Sequence, residues 1–232
     1  MTDILNIKDE PIFDDRIVKI ETHTYSPFAN TFGYSDEIRI SIQQQNLYTL
    51  PYESFLYVEE KLTKNKVVYS AHVTLGNNCV VFIFDEIRYE LNDVEIDRNR
   101  KVGIISILKN YVTVSTDRSV ILRNAGWDAL TIAARYFNFC GSLYVLLGFC
   151  EDYRRVVINA RHELILQARN DNNCLMRDPA TESTLELFKV QWRMPYVLLS
   201  EINKLSMLHA LESGRYLSMA FRSWDLYEFP LL

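Results

Sequence analysis

Beyond Ser35 the chain is written largely in periods of two. Ile38, Ile40 and Ile42 alternate with Arg39, Ser41 and Gln43, and Phe55 to Leu62 follows the Pro51 turn in the same style. Alternation of this kind sends one row of side chains to a core and the other to water, which predicts two half-buried strands. A third is expected between Lys66 and Leu75, with Val67, Tyr69, Ala71 and Val73 on one side, ending in a turn at Gly76, Asn77 and Asn78. The unbroken apolar run Cys79 to Phe84 suits a strand covered on both faces. It passes into Glu86, Arg88 and Glu90 interleaved with Ile87, Tyr89 and Leu91, a half-exposed continuation.

The pattern changes at Gly103 to Tyr111, where Ile104, Ile107, Leu108 and Tyr111 recur at helical spacing. A short helix is predicted there, capping an edge or end of the sheets, and the polar stretch Thr113 to Trp127 reads as a long loop. Phe137 to Phe149 and Val156 to Gln167 return to strand, the latter with Val156, Ile158, Ala160, His162, Leu164 and Leu166 on one face. Residues 169–173 read as an exposed turn, followed by a strand at Thr184 to Trp192 with Phe188, Val190 and Trp192 on a common face. Ser200 is an N-cap candidate and Gly214 a stop for a helix carrying Ile202, Leu205, Leu208 and Leu211, after which Tyr216 to Trp224 reads as strand. About eight strands with two helices predict a mainly β fold, an antiparallel jelly-roll sandwich over residues 33–232. Residues 1–32, punctuated by Pro11 and Pro27, form an N-terminal arm or irregular lead-in.

Composition narrows the function classes. The 232 residues are 48% hydrophobic and 24% charged, with 14 Tyr, 12 Phe and only 7 Gly, which favours aromatic-rich strands over Gly-rich phosphate loops. A net charge of −5 with scattered Lys and Arg argues against direct, sequence-independent nucleic-acid binding. The basic knot Arg98, Arg100 and Lys101 reads as a solvated turn. The acidic start MTDILNIKDEP lacks a secretory layout, and the uncharged stretch Tyr136 to Cys150 falls short of the roughly 20 apolar residues a bilayer span needs. Cys79, Cys140, Cys150 and Cys174 show no CxxC pair or metal spacing, so buried free thiols in a reducing, intracellular setting are expected.

Candidate chemistry is sparse. His23, His72, His162 and His209 form no HExxH or HxH pattern, and His162 reads as a satisfied sheet residue. The adjacent acids Asp36–Glu37 and Asp85–Glu86 point to opposite faces of a strand and cannot work together as acid and base. No nucleophile motif is present. These features predict a protein that is not an enzyme and takes no cofactor or metal. Two segments stand out as contact surfaces: Trp192, Arg193, Met194 and Tyr196 in WRMPYV, and Arg222, Trp224, Tyr227 and Phe229 in FRSWDLYEFPLL. They are of the residue types enriched at interface centres, and the apolar ending must dock on its own body or on a neighbour.

The phrases SDEIRISIQQQNLYTLP with FLYVEEKL, FDEIRYELNDVEIDRNR, LLGFCEDYRRVVINARHELIL, WRMPYV and FRSWDLYEFPLL resemble the major capsid proteins of Polinton (Maverick) elements and related double-stranded DNA viruses. That resemblance implies a subunit of two upright jelly rolls, three chains forming a pseudo-hexagonal capsomer within a virion. The chain holds material for about one jelly roll. It is therefore either a shortened, transposable-element-derived capsid copy or a single-barrel relative. The expected function is a capsid-like structural protein assembling as a homo-oligomer, a trimer or higher, without a membrane. The alternative is a domesticated jelly-roll module recognising a protein or glycan.

Overall fold

A computed structural model describes residues 16–29, 32–33, 36–43, 48–64, 67–68, 74–127, 136–168, 174–176, 184–214 and 218–229. Two antiparallel sheets face one another. The smaller has four strands in the order β2 (Glu37–Ile42), β11 (His162–Ala168), β7 (Phe84–Leu91) and β8 (Val94–Arg100). Between β7 and β8 the chain turns on Asn92 and Asp93, both at positive φ, as a two-residue hairpin matching the twist of its strands requires. The larger sheet runs β10 (Val157–Ile158), β3 (Tyr48–Thr49), β13 (Thr184–Leu199), β4 (Phe55–Lys64) and β5 (Val67–Val68). β1 (Ile17–Tyr25) joins β13 and β9 (Tyr136–Ser142) joins β4. A two-stranded piece, β12 (Leu175–Met176) on β6 (Thr74–Leu75), completes the set.

The period-two sequences do as they must. In β2 only Ile38, Ile40 and Ile42 are fully buried, and in β4 Leu56, Val58 and Leu62 turn inward. They meet Ile87 and Tyr89 of β7, Leu164 and Leu166 of β11, and Val190, Trp192 and Met194 of β13 in one core. The outward rows are ionic. Glu86 pairs with Arg98 at 2.7 Å and Arg88 at 3.1 Å, Arg88 with Glu37 at 2.8 Å, and Arg161 with Glu163 at 3.0 Å. The Arg88–Glu37 pair at the surface contributes little to stability, about 0–1 kcal/mol, while Glu86 and Glu163 are mostly enclosed by their arginine partners.

Several expectations are corrected. Cys79–Phe82 is a single helical turn, α1, entered through Asn78 at φ 58°, and only from Phe84 does the chain extend. A short apolar run covered on all sides can be either, because burial erases the periodicity that distinguishes them. Thr113 to Trp127 is not one loop: α2 (Val102–Thr113) is followed by α3 (Thr116–Leu122) and a 3-10 turn Arg123–Ala125 that stops at Gly126, φ 89°. Phe137 to Phe149 is strand only to Ser142, where Ser142 leads into α4 (Leu143–Leu146) and then α5 (Gly148–Asp152). Val156 to Gln167 is broken at Asn159, φ 47°, so β10 belongs to the larger sheet and β11 to the smaller.

β13 is longer than predicted. It spans 16 residues and carries a bulge between Leu187 and Lys189, which turns Phe188 out of the row of Val190 and Trp192 to lie edge-on to Tyr136. Pro195 is tolerated because pairing with β4 ends at Arg193, while its carbonyl accepts from Leu50 N at 3.0 Å. Arg98 and Arg100 lie in β8 itself, and only Lys101, at φ 54°, makes the turn. From Ile17 to Tyr25 the lead-in is strand β1, which pairs along β13 with an irregularity between Ile17 and Lys19. Tyr216 to Trp224 is not a strand where it is described, residues 218–224 having no regular structure; the expected turn at 169–173, Tyr69 to Val73 and Tyr216 lie outside the described residues.

Candidate assembly surface

The β1–β13 ribbon and α6 (Glu201–Glu212) leave apolar side chains in water. Val18 is 63% exposed, Leu198 57%, Ile202 81% and Leu205 57%, and no residue of α6 is fully buried. Register explains the juxtaposition: Leu198 pairs with Lys19, and α6 starts two residues after Leu199, with Ser200 N bonded to Arg16 O at 2.9 Å. A second apolar surface lies on the helices that follow β8. Leu108, Tyr111 and Val112 of α2 recur at helical spacing and are exposed by 54%, 68% and 85%, and Val120 and Ile121 of α3 are exposed as well. Single exposed apolar residues are ordinary, whereas two grouped faces are the usual mark of contact surfaces.

The predicted contact residues divide. Trp192 and Met194 are 0% exposed and Tyr196 4%, so they are core residues of this chain and present no anchor to a neighbour, a correction to the expectation for WRMPYV. The same alternation that buries them leaves Arg193 outside, its guanidinium 4.5 Å from the Tyr57 ring. In the second segment, Phe221 packs edge-on to Phe149 at 5.3 Å and the Arg222 backbone crosses directly over Gly148. Arg222 grips Asp152 through Nε at 2.8 Å and Nη2 at 2.7 Å, and its guanidinium holds the Asp152 carboxyl down at about 2. Trp224 is half-buried, with the Lys109 ammonium 5.8 Å from its ring, and Lys101 pairs with Glu228. This stretch therefore docks on its own body, while Tyr227 (75%) and Phe229 (84%) project.

Sequence reading missed the polar groups that hold this docking platform. Asp97 of β8 is buried and accepts from Phe149 N at 2.8 Å, and Asn99 donates to Leu146 O at 3.0 Å. Burial raises the Asp97 carboxyl above its ordinary value despite the donors Phe149 N and Arg98 N. Lys109 of α2 is enclosed, donating to Tyr144 O at 2.8 Å and lying 2.7 Å from Glu151. The available signal was VEIDRNR: on a strand whose other row must be solvated, Asp97 and Asn99 occupy the core register and need partners.

No chemical centre is assembled among the described residues. No group of three or more His, Cys, Asp or Glu side chains is placed to hold a metal. Cys79, Cys140 and Cys150 form no disulfide; burial pushes the Cys79 thiol up to about 12 and Cys150 higher still, which makes these two poor nucleophiles. His162 is the satisfied sheet residue expected, with Nδ1 2.6 Å from the Tyr89 hydroxyl and Nε2 2.9 Å from Thr49 Oγ1. No described helix is long and apolar enough to cross a membrane.

Two facing antiparallel sheets with helical excursions between strands define a jelly-roll-like domain. The chain belongs to the double jelly roll-like domain family, whose model matches residues 73–232. Among solved structures it is similar to the Faustovirus major capsid protein, at TM-score 0.59 and 8% identity over 90% of this chain and 58% of that one. It is also similar to PBCV-1 VP54 fitted into a cryo-EM reconstruction of the virophage Sputnik (TM-score 0.57, 10% identity, 85% of this chain and 46% of that one). The PBCV-1 capsid quasi-atomic model follows at TM-score 0.50 and 11% identity, with the same coverage. The chain thus spans about half the length of these structures, and at such identities the likeness is one of fold. Comparison with curated protein sequences gives no match.

Proposed function

We propose that this chain is a non-enzymatic, capsid-like structural subunit that associates with copies of itself, a relative of the Polinton-type capsid proteins. The observation that carries this reading is the pair of separate exposed apolar surfaces, one on the β1–β13 ribbon with α6 and one on α2 with α3. A single self-complementary patch closes a dimer, whereas two different patches permit the head-to-tail contacts of a trimer or a larger ring. Family membership and the capsid-protein fold support the same role. Tyr227 and Phe229 are the members of the aromatic segment that remain available to such contacts.

Size-exclusion chromatography with light scattering, run over a range of concentrations, tests it together with negative-stain images. The expected result is a mass that rises to a trimer or beyond. Leu198→Asp with Ile202→Asp and, separately, Leu108→Asp with Val112→Asp should each lower it while leaving the fold intact. A strict monomer at high concentration, showing no particles, overturns the assembly reading in favour of a jelly-roll module that binds a protein or glycan.

A further inference from the structure

Between the β1–β13 ribbon and α6 lies an open groove of about 780 Å³, within the range of about 300–1,000 Å³ usual for pockets that enclose a ligand. Its floor is apolar, built from Ile20 of β1, Val197 of β13 and Met207 of α6, and Ile20 is left 51% exposed. Its charged lining is of one sign: Arg16, Arg154 and Arg155, all exposed, reach it, and no acidic side chain among the described residues does. The Arg154 guanidinium lies over the Tyr52 ring at 4.8 Å, which orients it at the rim. An apolar floor with a cationic rim selects an acidic segment that carries apolar side chains.

The described part of this chain carries such a segment. Trp224 to Phe229 reads WDLYEF, with Asp225 and Glu228 and no basic residue, and Tyr227 and Phe229 project into water. While docked, it cannot turn back to its own groove. Ser218 lines the groove, but Phe221, Arg222 and Trp224 then fix the chain on Phe149, Asp152 and Lys109, and Glu228 pairs with Lys101, ahead of the first turn of α2. Arg154 shares a small cleft with Lys109, Asn110 and Thr113 in the second half of α2, so Tyr227 and Phe229 project at the helix end remote from the arginine rim. We infer that the groove of one copy receives Tyr227 and Phe229 of a second copy on its apolar floor, placing the acidic charge of that segment beside the arginines. The contact joins two different surfaces, so it is head-to-tail and either closes a ring or propagates. It rests on the self-association proposed above and names one of its contacts.

Light scattering on the full chain over a concentration series tests it. Tyr227→Asp with Phe229→Asp and, separately, Arg154→Glu with Arg155→Glu should each raise the concentration needed for association at least about tenfold. All four side chains are exposed, so the fold should survive both pairs of changes. One variant keeps its groove and the other its aromatic segment, so an equimolar mixture should regain association that neither shows alone. As a second measurement, a chain with Tyr227 replaced by the photoreactive benzoylphenylalanine should crosslink on irradiation to Met207 of a different copy, identified by mass spectrometry on mixed isotopically light and heavy chains. Wild-type assembly that neither variant weakens, or variants that do not recover on mixing, would overturn this contact and leave the other apolar surfaces to carry self-association. A crosslink confined to one chain would do the same. A wild-type chain that stays monomeric at every concentration overturns the self-association reading and this contact with it.

Discussion

Acid should destabilise this protein through His162. The ring is enclosed between Tyr89 and Thr49 in the core, and burial lowers its pKa from 6.5 to about 4. A consistent proton arrangement has the Tyr89 hydroxyl donating to Nδ1, and Nε2–H donating to Thr49 Oγ1. That hydroxyl donates onward to Val157 O at 3.2 Å. Tyr89 can rotate to accept from a protonated Nδ1, so desolvation is the main cost of charging the ring. Because the unfolded chain binds the proton more tightly, stability is complete above pH 6.5 and falls as pH drops toward 4. The loss amounts to about 1 kcal/mol by roughly pH 5.5 and about 3 kcal/mol in full. Asp97, raised by burial, works in the opposite sense, so the test is a difference between proteins rather than one profile. Denaturant unfolding followed by tryptophan fluorescence at a series of pH values, for the wild type and His162→Gln, isolates the term. The variant should be less stable at neutral pH and the gap should shrink by those amounts on acidification. Parallel curves would refute the reasoning.

Two further outcomes are expected. Trp192→Ala should cost about 3–5 kcal/mol of stability, since its ring is fully enclosed and packs edge-on to Tyr89 at 5.9 Å; a loss under about 1 kcal/mol in thermal or denaturant unfolding would contradict its core placement. Gly148→Ala would set a methyl group 1.7 Å from the Arg222 carbonyl oxygen, a backbone atom that cannot step aside. It should lift residues 218–229 from the body, read as rapid proteolysis near Arg222 and increased solvent quenching of Trp224 fluorescence, with about 1–3 kcal/mol lost.

Legibility in the sequence followed solvent exposure. β2, β4 and β7 were readable because one face of each meets water, and α2 and α6 because their apolar positions recur at helical spacing. Cys79–Phe82 and Leu143–Asp152 were not, because enclosure on every side removes the polar half of the pattern. The candidate surface was half legible. Aromatic character singled out both Trp192 and Phe229, yet composition is blind to direction: β13 points Trp192 inward, and the docked segment leaves Phe229 out. The exposed face of α6 and the buried Asp97 and Lys109 drew no notice, because each depends on what another part of the chain places opposite it.

The order of residues alone determined that this is a β sandwich with wet, charged outer strands, because period, composition and turn chemistry are local and additive. Which strands pair, where β13 changes partners at Pro195, and which apolar groups remain uncovered were decided only in three dimensions. Burial is a relation between distant segments, and a side chain's role follows from the neighbour it meets.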